Sequence, residues 1–588
     1  MKRFFSKKYV ILTILSLLLI TFIRICSISN TSTPFYVTFE NSESVYSDIN
    51  WINSNPYERS KSYQLHAFIF MESDLLKYQE TNNKDFLIKP LKYTLEWANL
   101  FTDMDFEQAN KINGCEQFIW YDMAVGLRAN TLSYLIKMAQ KENILTQDEY
   151  NILYKCLLRH AEYLLDDKNV KFHNNHGLFQ VAGQLSMAKR FYNQDKIFKQ
   201  SYKQAKKRIK KIYNNQFTPN GIHKEHSPEY ADATFNTLKK LKLCIIHLQQ
   251  IENNLDWFYT PKKHLATLGD TSVNIKKNIK EFKNYGYFNK DGYFIVRQSN
   301  KNNNDSTKDS YLAQIGAFYS RVHKHADNLS FIWHDLGEEI LIDSGKFGYS
   351  GKTSKDSKLA KQGFYYSNPN RIYIEKTLAH NALEIDNLDH PRVKKEISPF
   401  ENAIKLAGKY GDVYASTSSF VMRGVEYTRL LIFNPSKWLI VMDKYDDKEN
   451  KKHGAKQWFH ISPNLELVKI NEQKYKIKNN NIEILVSDLL NSSNASKIYY
   501  GQKEPFMQGW YAVSGTKLEP NFAFNYSQNN SSGLFATLFE IQNNSNLKDG
   551  ISLETVAAVK RENVVYLLKF ENNIIEIDEN LMIKKRWW

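Results

Sequence analysis

The chain has 588 residues, of which 42% are hydrophobic and 24% charged, and it carries a formal net charge of +16. That length exceeds one hydrophobic core and implies two or three domains, and the balance of apolar to charged residues excludes a disordered chain. The basic excess points to a polyanionic partner.

The N-terminus pairs Lys2-Arg3 and Lys7-Lys8 with the apolar run Tyr9–Ile23 and holds no acid in its first thirty residues. This is the grammar of an export signal. The run is shorter than the roughly 20 residues a spanning helix needs. Residues 1–30 are therefore expected to direct export to the periplasm or the outside, either cleaved or kept as a short membrane anchor through residues 9–23. A polyanion met there is an acidic polysaccharide rather than nucleic acid, and no nucleic-acid-binding motif is present. Aromatic content of 14% suits sugar-stacking clefts, although aromatic-rich cores account for it more readily. The four cysteines, Cys26, Cys115, Cys156 and Cys244, match no metal or redox spacing, and buried thiols are the expectation.

From about 60 to 255 the sequence reads as helix. Gln117–Lys141 spaces apolar residues three and four apart. Thr146–Asp166 opens with Thr146-Gln147-Asp148-Glu149, an N-cap and acidic first turn. Gly177–Tyr192, Gln200–Tyr213 and Glu229–Ile251 continue the pattern. Successive helix hairpins of this length build a toroid or a solenoid, and no strict repeat is visible. Near 285 the character changes to short runs rich in Val, Ile, Tyr and Phe between polar clusters. Tyr293–Gln298, Ala313–Arg321, Leu329–His334, Glu339–Asp343, Tyr427–Phe433 and Trp438–Asp443 read as antiparallel strands. Their spacing implies a β-sandwich of roughly 300 residues. Gly345–Lys376 is long, polar and Gly-containing, either a loop over a cleft or a surface excursion. The expected boundaries are 1–30, 31–280 for the helical domain and 281–588 for the sheet domain.

Several short segments carry chemistry. They are His173-Asn174-Asn175-His176-Gly177, Glu225-His226-Ser227-Pro228-Glu229-Tyr230, and His323-Lys324-His325-Ala326-Asp327-Asn328, followed by Leu341-Ile342-Asp343-Ser344-Gly345 and Ala379-His380-Asn381. Asn175 and His176, at a helix start, would aim donors at an anion, although an Asn there often only caps the helix. His323 and His325, two apart in an expected strand, would share one face.

Taken together these segments resemble the heparinase II/III family of polysaccharide lyases, from about residue 110 to 445. Trp120-Tyr121-Asp122, Gly126-Leu127-Arg128 and Gly269-Asp270 also resemble family positions. The resemblance implies an incomplete α/α toroid followed by an antiparallel β-sandwich, acting on a uronate-containing acidic polysaccharide by β-elimination. It implies catalytic roles for Asn175, His176, Tyr230 and His323, with Asn175 binding the sugar carboxylate. It implies Zn2+, mainly structural, on His325, Asp343 and His380. Trp120, Arg128, Glu225, His226 and Arg321 are the candidate substrate-binding residues. Tyr230, with an ordinary pKa of about 10, would need a nearby cation to act as a phenolate base; as a phenol it would be the acid to the leaving oxygen. Two other readings stay open: a toroid glycoside hydrolase with a carboxylate pair, and a non-catalytic polysaccharide-binding protein on a lyase scaffold.

Overall fold

The computed structural model describes residues 59–109, 118–241, 248–273, 285–300, 305–392, 403–495, 497–542, 550–556 and 564–587, together with Phe35, Tyr46, Ile49 and Trp51. The expected export segment 1–30, Cys26, Cys115 and Cys244 lie outside the described residues. The chain divides into two compact units: residues 1–217 with 233–249, and residues 218–232 with 250–588.

The first unit is helical. Its principal helices are Asp85–Phe101, Met123–Lys141, Gln147–Leu165, Asn175–Arg190 and Lys196–Gln216. Gln147–Leu165 starts where its sequence says it should. Thr146 Oγ1 accepts from the Glu149 N–H at 3.3 Å, and Glu149 returns a carboxylate to the Thr146 N–H at 2.8 Å, so two otherwise orphaned donors are satisfied. Met123–Lys141 and Asn175–Arg190 meet at two glycines. A Cβ on Gly183 would stand 1.7 Å from the Gly126 carbonyl oxygen, so only glycine allows this approach. Leu132, Leu135, Leu153, Leu157 and Trp97 fill the core beside them. Cys156 is a buried free thiol, as expected.

The second unit is built on antiparallel sheets. A five-stranded meander runs Tyr285–Asn289, Tyr293–Gln298, Ser310–Ile315, Phe331–Asp335, Glu338–Leu341. An eight-stranded sheet is centred on Val413–Met422, Val425–Asn434, Trp438–Asp447 and Ser532–Ile541. His453–His460 pairs with Phe522–Asn530 on one side and Leu383–Ile385 on the other. Side chains from these three of the five sheets among the described residues, including Phe331, Trp333, Phe433, Phe459, Phe524 and Phe539, share one core. In it the Arg429 guanidinium bonds both oxygens of Asp443, each at 2.7 Å, with neither side chain exposed.

Two local expectations are corrected here. The strand expected over Ala313–Arg321 ends at Ile315, and the next begins at Phe331. His323 and His325 therefore lie in the irregular segment between strands, where His323 has φ +58°, and the period-two argument does not apply to them. Gly345–Lys376 is not a plain loop: it contains the helices Lys358–Lys361 and Pro369–Glu375, the latter capped by Asn368 with Pro at its first position.

Candidate active site

A cluster of chemistry-bearing side chains lies in the second unit, where three segments converge: 223–230, 268–271 and 318–327. Gly269 makes the convergence possible. Its φ is +58°, and a Cβ there would stand 2.6 Å from the His323 carbonyl and 2.7 Å from that of His226. The Asp270 N–H then donates to the His323 carbonyl at 2.9 Å. His226 (φ +59°) and His323 (φ +58°) are themselves left-handed. For non-glycine residues such backbone costs on the order of 1–3 kcal/mol and gathers at functional sites.

Tyr230 stacks flat on His323, ring centroids 3.5 Å apart and planes 8° from parallel. Behind the imidazole, His323 Nδ1 meets Glu225 Oε2 at 2.9 Å, with Glu225 almost fully buried. A carboxylate can only accept, so Nδ1 carries the hydrogen and Nε2 is the basic nitrogen of the neutral ring. The Tyr230 hydroxyl lies 2.6 Å from that of Tyr349, which donates to Asp270 Oδ2 at 3.0 Å. Tyr349 has one proton, and Asp270 takes it, so Tyr230 donates to Tyr349.

Asp270 is the hub of this site. Arg371 grips both its oxygens at 2.6 Å, and His325 Nε2 meets Oδ1 at 2.8 Å. Burial alone would raise its pKa, but Arg371 and His325 hold it well below the carboxylate range. Tyr230 goes the other way. Burial is the main cause that pushes it up, to about 12, outweighing the pull of Lys346, whose Nζ lies 4.8 Å from the ring centroid. The expected cation is present, yet Tyr230 is held as a phenol and not lowered toward phenolate: Asp270 and Glu229 add to burial, and Lys346 is itself paired with Glu229 at 2.6 Å.

The candidate metal residues come together as expected. His325, Asp343 and His380 are all buried, and one ligating atom of each lies within 4.8 Å of the others. His325 Nδ1 and His380 Nε2 are buried with no hydrogen-bond partner, while their other nitrogens are held by Asp270 and Asp343. Imidazoles oriented by carboxylates with one bare nitrogen each are the donor pattern of a metal site, and two histidines with a carboxylate suit zinc. The residues present therefore fit that ion.

In the helical unit Asn175 is the first residue of the helix Asn175–Arg190, and Asn174, not Asn175, is its N-cap. His176 Nδ1 meets Asp122 Oδ2 at 2.8 Å. Burial opposes ionisation of Asp122, but His176 and then Lys171 keep its pKa below the ordinary value. Asp122 also has a positive φ, +59°.

Three expected substrate contacts are corrected. Trp120 is fully buried, its indole N–H donating to the Phe101 carbonyl at 2.9 Å. Arg128 is fully buried too, bonded to His160 and to the carbonyls of His66 and Ile119. His226 is buried, its Nε2 accepting from the Tyr319 N–H at 2.8 Å. None of the three has a face to offer a polymer. Arg321 is only partly buried and reaches the Tyr365 hydroxyl at 2.8 Å. Tyr349, Arg371, Lys346 and Glu229 were not anticipated. The first three lie on the long Gly345–Lys376 segment, and its position directly after Asp343-Ser344 was the one available signal.

Two family descriptions match the sequence: Heparinase II/III N-terminus over residues 29–276, and Heparinase II/III-like, C-terminal over residues 283–527. No curated protein matches the chain. Among solved structures, a heparan sulfate lyase HepC mutant from Pedobacter heparinus is similar at 15% identity and a TM-score of 0.61, covering 91% of this chain and 85% of that one. A structure described as Heparinase III is similar at 14% identity and a TM-score of 0.67, covering 91% and 86%. At such identities the likeness is one of fold: a helical N-terminal region and a β-rich C-terminal region. The two sequence matches together take in most of the chain, and the chain belongs to the heparinase II/III family.

Proposed function

We propose that this protein is a polysaccharide lyase that cleaves a uronate-containing acidic polysaccharide by β-elimination. The observation that carries the reading is the flat stack of Tyr230 on a His323 whose Nδ1 is fixed by Glu225. Elimination must take the proton at C5 and protonate the departing oxygen at C4. His323 Nε2 is the base that receives the C5 proton. Tyr230, held as a phenol, gives its proton to the C4 oxygen as that bond breaks and the C4–C5 double bond forms. The sugar carboxylate needs neutral or cationic donors while charge builds beside it, and Asn175 and His176 of the helical unit are the residues proposed for that task. The helical unit is proposed to form the incomplete α/α toroid of the family, and the sheet unit its sandwich.

His325, Asp343 and His380 are proposed to hold a zinc ion, which would supply a fixed positive charge that braces this part of the fold. Residues 1–30 are proposed to direct export. The hydrolase reading is disfavoured because the carboxylates of the cluster are all engaged by cations or imidazole: Glu225 by His323, Asp270 by Arg371, Glu229 by Lys346. None of these is free to form the acid–base pair that hydrolysis requires. The test is a panel of acidic polysaccharides, namely heparan sulfate, chondroitin sulfate, alginate and polygalacturonate, followed by ultraviolet absorbance of the unsaturated product. New reducing ends without that absorbance would overturn elimination, and tight binding without turnover would favour a non-catalytic binding protein.

A further inference from the structure

The helix Lys196–Gln216 has two faces of opposite character. Phe198, Ala205, Ile209 and Ile212 are buried. On the other side Lys199, Lys203, Lys206, Lys207, Lys210 and Lys211 are all exposed. At about 100° per residue these six fall within an arc of roughly 140°, and they extend over about 18 Å at 1.5 Å per residue. The helix contains no acidic residue. Its inward cation, Arg208, is paired with Asp167, whereas none of the six lysines is in an ion pair among the described residues. Six like charges in a row repel one another, and a bound polyanion relieves that repulsion.

Aromatic rings lie along the row. Lys199 Nζ stands 5.9 Å from the Tyr192 ring, Lys206 Nζ 5.6 Å from Tyr202, and Lys211 Nζ 4.1 Å from Phe172. The C-terminal end of the helix is tied to the turn that presents the proposed carboxylate-binding pair. Asn215 Nδ2 donates to the Phe172 carbonyl at 3.0 Å, and Gln216 Nε2 donates to the Asn174 carbonyl. The row therefore ends at the segment that holds Asn175 and His176, within the same unit.

We propose that this face is a docking surface for an acidic glycan chain, separate from the site where the bond breaks. It holds sugars remote from the reacting one and leads the chain toward the Asn174–His176 turn. A helix face carrying charge along its length fits an extended polymer rather than a compact anion, and rings beside the lysines fit pyranose faces. The proposal deepens the lyase reading and rests on it for the nature of the polymer.

The full chain is compared with a variant carrying Lys203→Gln, Lys206→Gln, Lys207→Gln and Lys210→Gln. These are exposed positions, and Gln keeps the helix propensity of Lys. Binding to long-chain heparan sulfate and alginate and to their tetrasaccharides is measured across a salt series. The expected result is a loss of at least about tenfold in long-chain affinity with a shallower dependence on salt, as release of fewer counter-ions requires, while tetrasaccharide binding and turnover stay unchanged. Unchanged long-chain affinity overturns the proposal, as does an equal loss for polymer and tetrasaccharide. So does a loss confined to DNA or to phosphatidylserine vesicles, which would assign the face to another polyanion. If no glycan is cleaved yet the lysine-dependent binding persists, the lyase reading fails and the docking surface stands.

Discussion

At the scale of single residues, the proposed site works by fixing the orientation of two neighbouring groups, a phenol and an imidazole. Tyr230 keeps its proton because it is buried beside Asp270, and Glu225 ties down His323 Nδ1 so that Nε2 is the nitrogen left to exchange a proton. Tyr230→Phe removes the acid and the bond to Tyr349 but keeps the ring stack, so kcat on the cleaved polysaccharide should fall by at least about 100-fold, with an unchanged melting temperature. Near-normal turnover would remove Tyr230 from the chemistry. Glu225→Gln keeps the shape but lets the amide present either its oxygen or its NH2 to His323 Nδ1, so the tautomer is no longer enforced. A fall in kcat of about tenfold or more is expected, with KM little changed, and steady-state kinetics separate the two.

Tyr230, His323 and the metal candidates were legible because they sit in compact motifs. The partners that set their behaviour were not. Tyr349 lies 119 residues from Tyr230 and Arg371 lies 101 from Asp270, and no local pattern encodes such pairings. Burial was the other blind spot. Nothing in Trp120-Tyr121-Asp122 distinguishes an indole under a sugar from one packed against Phe106 and His160.

At the scale of elements, helix starts and amphipathic faces were readable wherever periodicity and caps agreed, as at Thr146. The histidine segment was misread because two histidines spaced by one residue mimic a strand, while Gly269 and a left-handed His323 bend the backbone instead. The Gly126–Gly183 crossing gives a direct check of helix packing. Gly183→Ala would drive a methyl into the Gly126 carbonyl, and separating the helices should cost about 1–3 kcal/mol as for other overpacked contacts, read as a lowered denaturation midpoint.

A second check concerns His453, at the start of a strand. Its Nδ1 meets Asp386 at 2.7 Å and its Nε2 meets Asp447 at 2.8 Å. Partial burial lowers the His453 pKa, but the two carboxylates outweigh it and raise it overall. The bond from His453 is the leading cause that lowers Asp447. A raised histidine stabilises fully below its unfolded value of about 6.5 and loses that contribution as pH climbs through its folded value. A depressed aspartate stabilises above its unfolded value of about 3.9 and loses it as pH falls. The clasp is therefore strongest between about pH 4 and 6.5. The wild-type melting temperature should decline more than that of His453→Gln as pH rises above this window, and parallel curves would refute the clasp.

At the scale of the whole molecule, the break from helices to sheets near residue 285 was visible in composition alone. The way the three sheets share one core was not, because it depends on contacts between strands far apart in sequence. Stability at this scale should respond to metal. With His325, Asp343 and His380 bound to an ion, folding and binding are linked, so a chelator should lower the melting temperature and added zinc should restore it. No shift with either would mean that the triad is a plain hydrogen-bonded cluster.

The path of the chain between its two compact units has one more consequence. It changes allegiance three times, at 217/218, 232/233 and 249/250, and the short excursion 218–232 carries Glu225 and Tyr230. The apparent seam in the sequence, between the two family matches at 276 and 283, is thus not a line along which the protein can be severed. A fragment begun at residue 283 would inherit His323 and Arg371 but forfeit the Glu225 and Asp270 that discipline them. Exchanging halves at that seam with a distant relative would part Tyr230 and Asp270 from the His323 and Arg371 that they meet here.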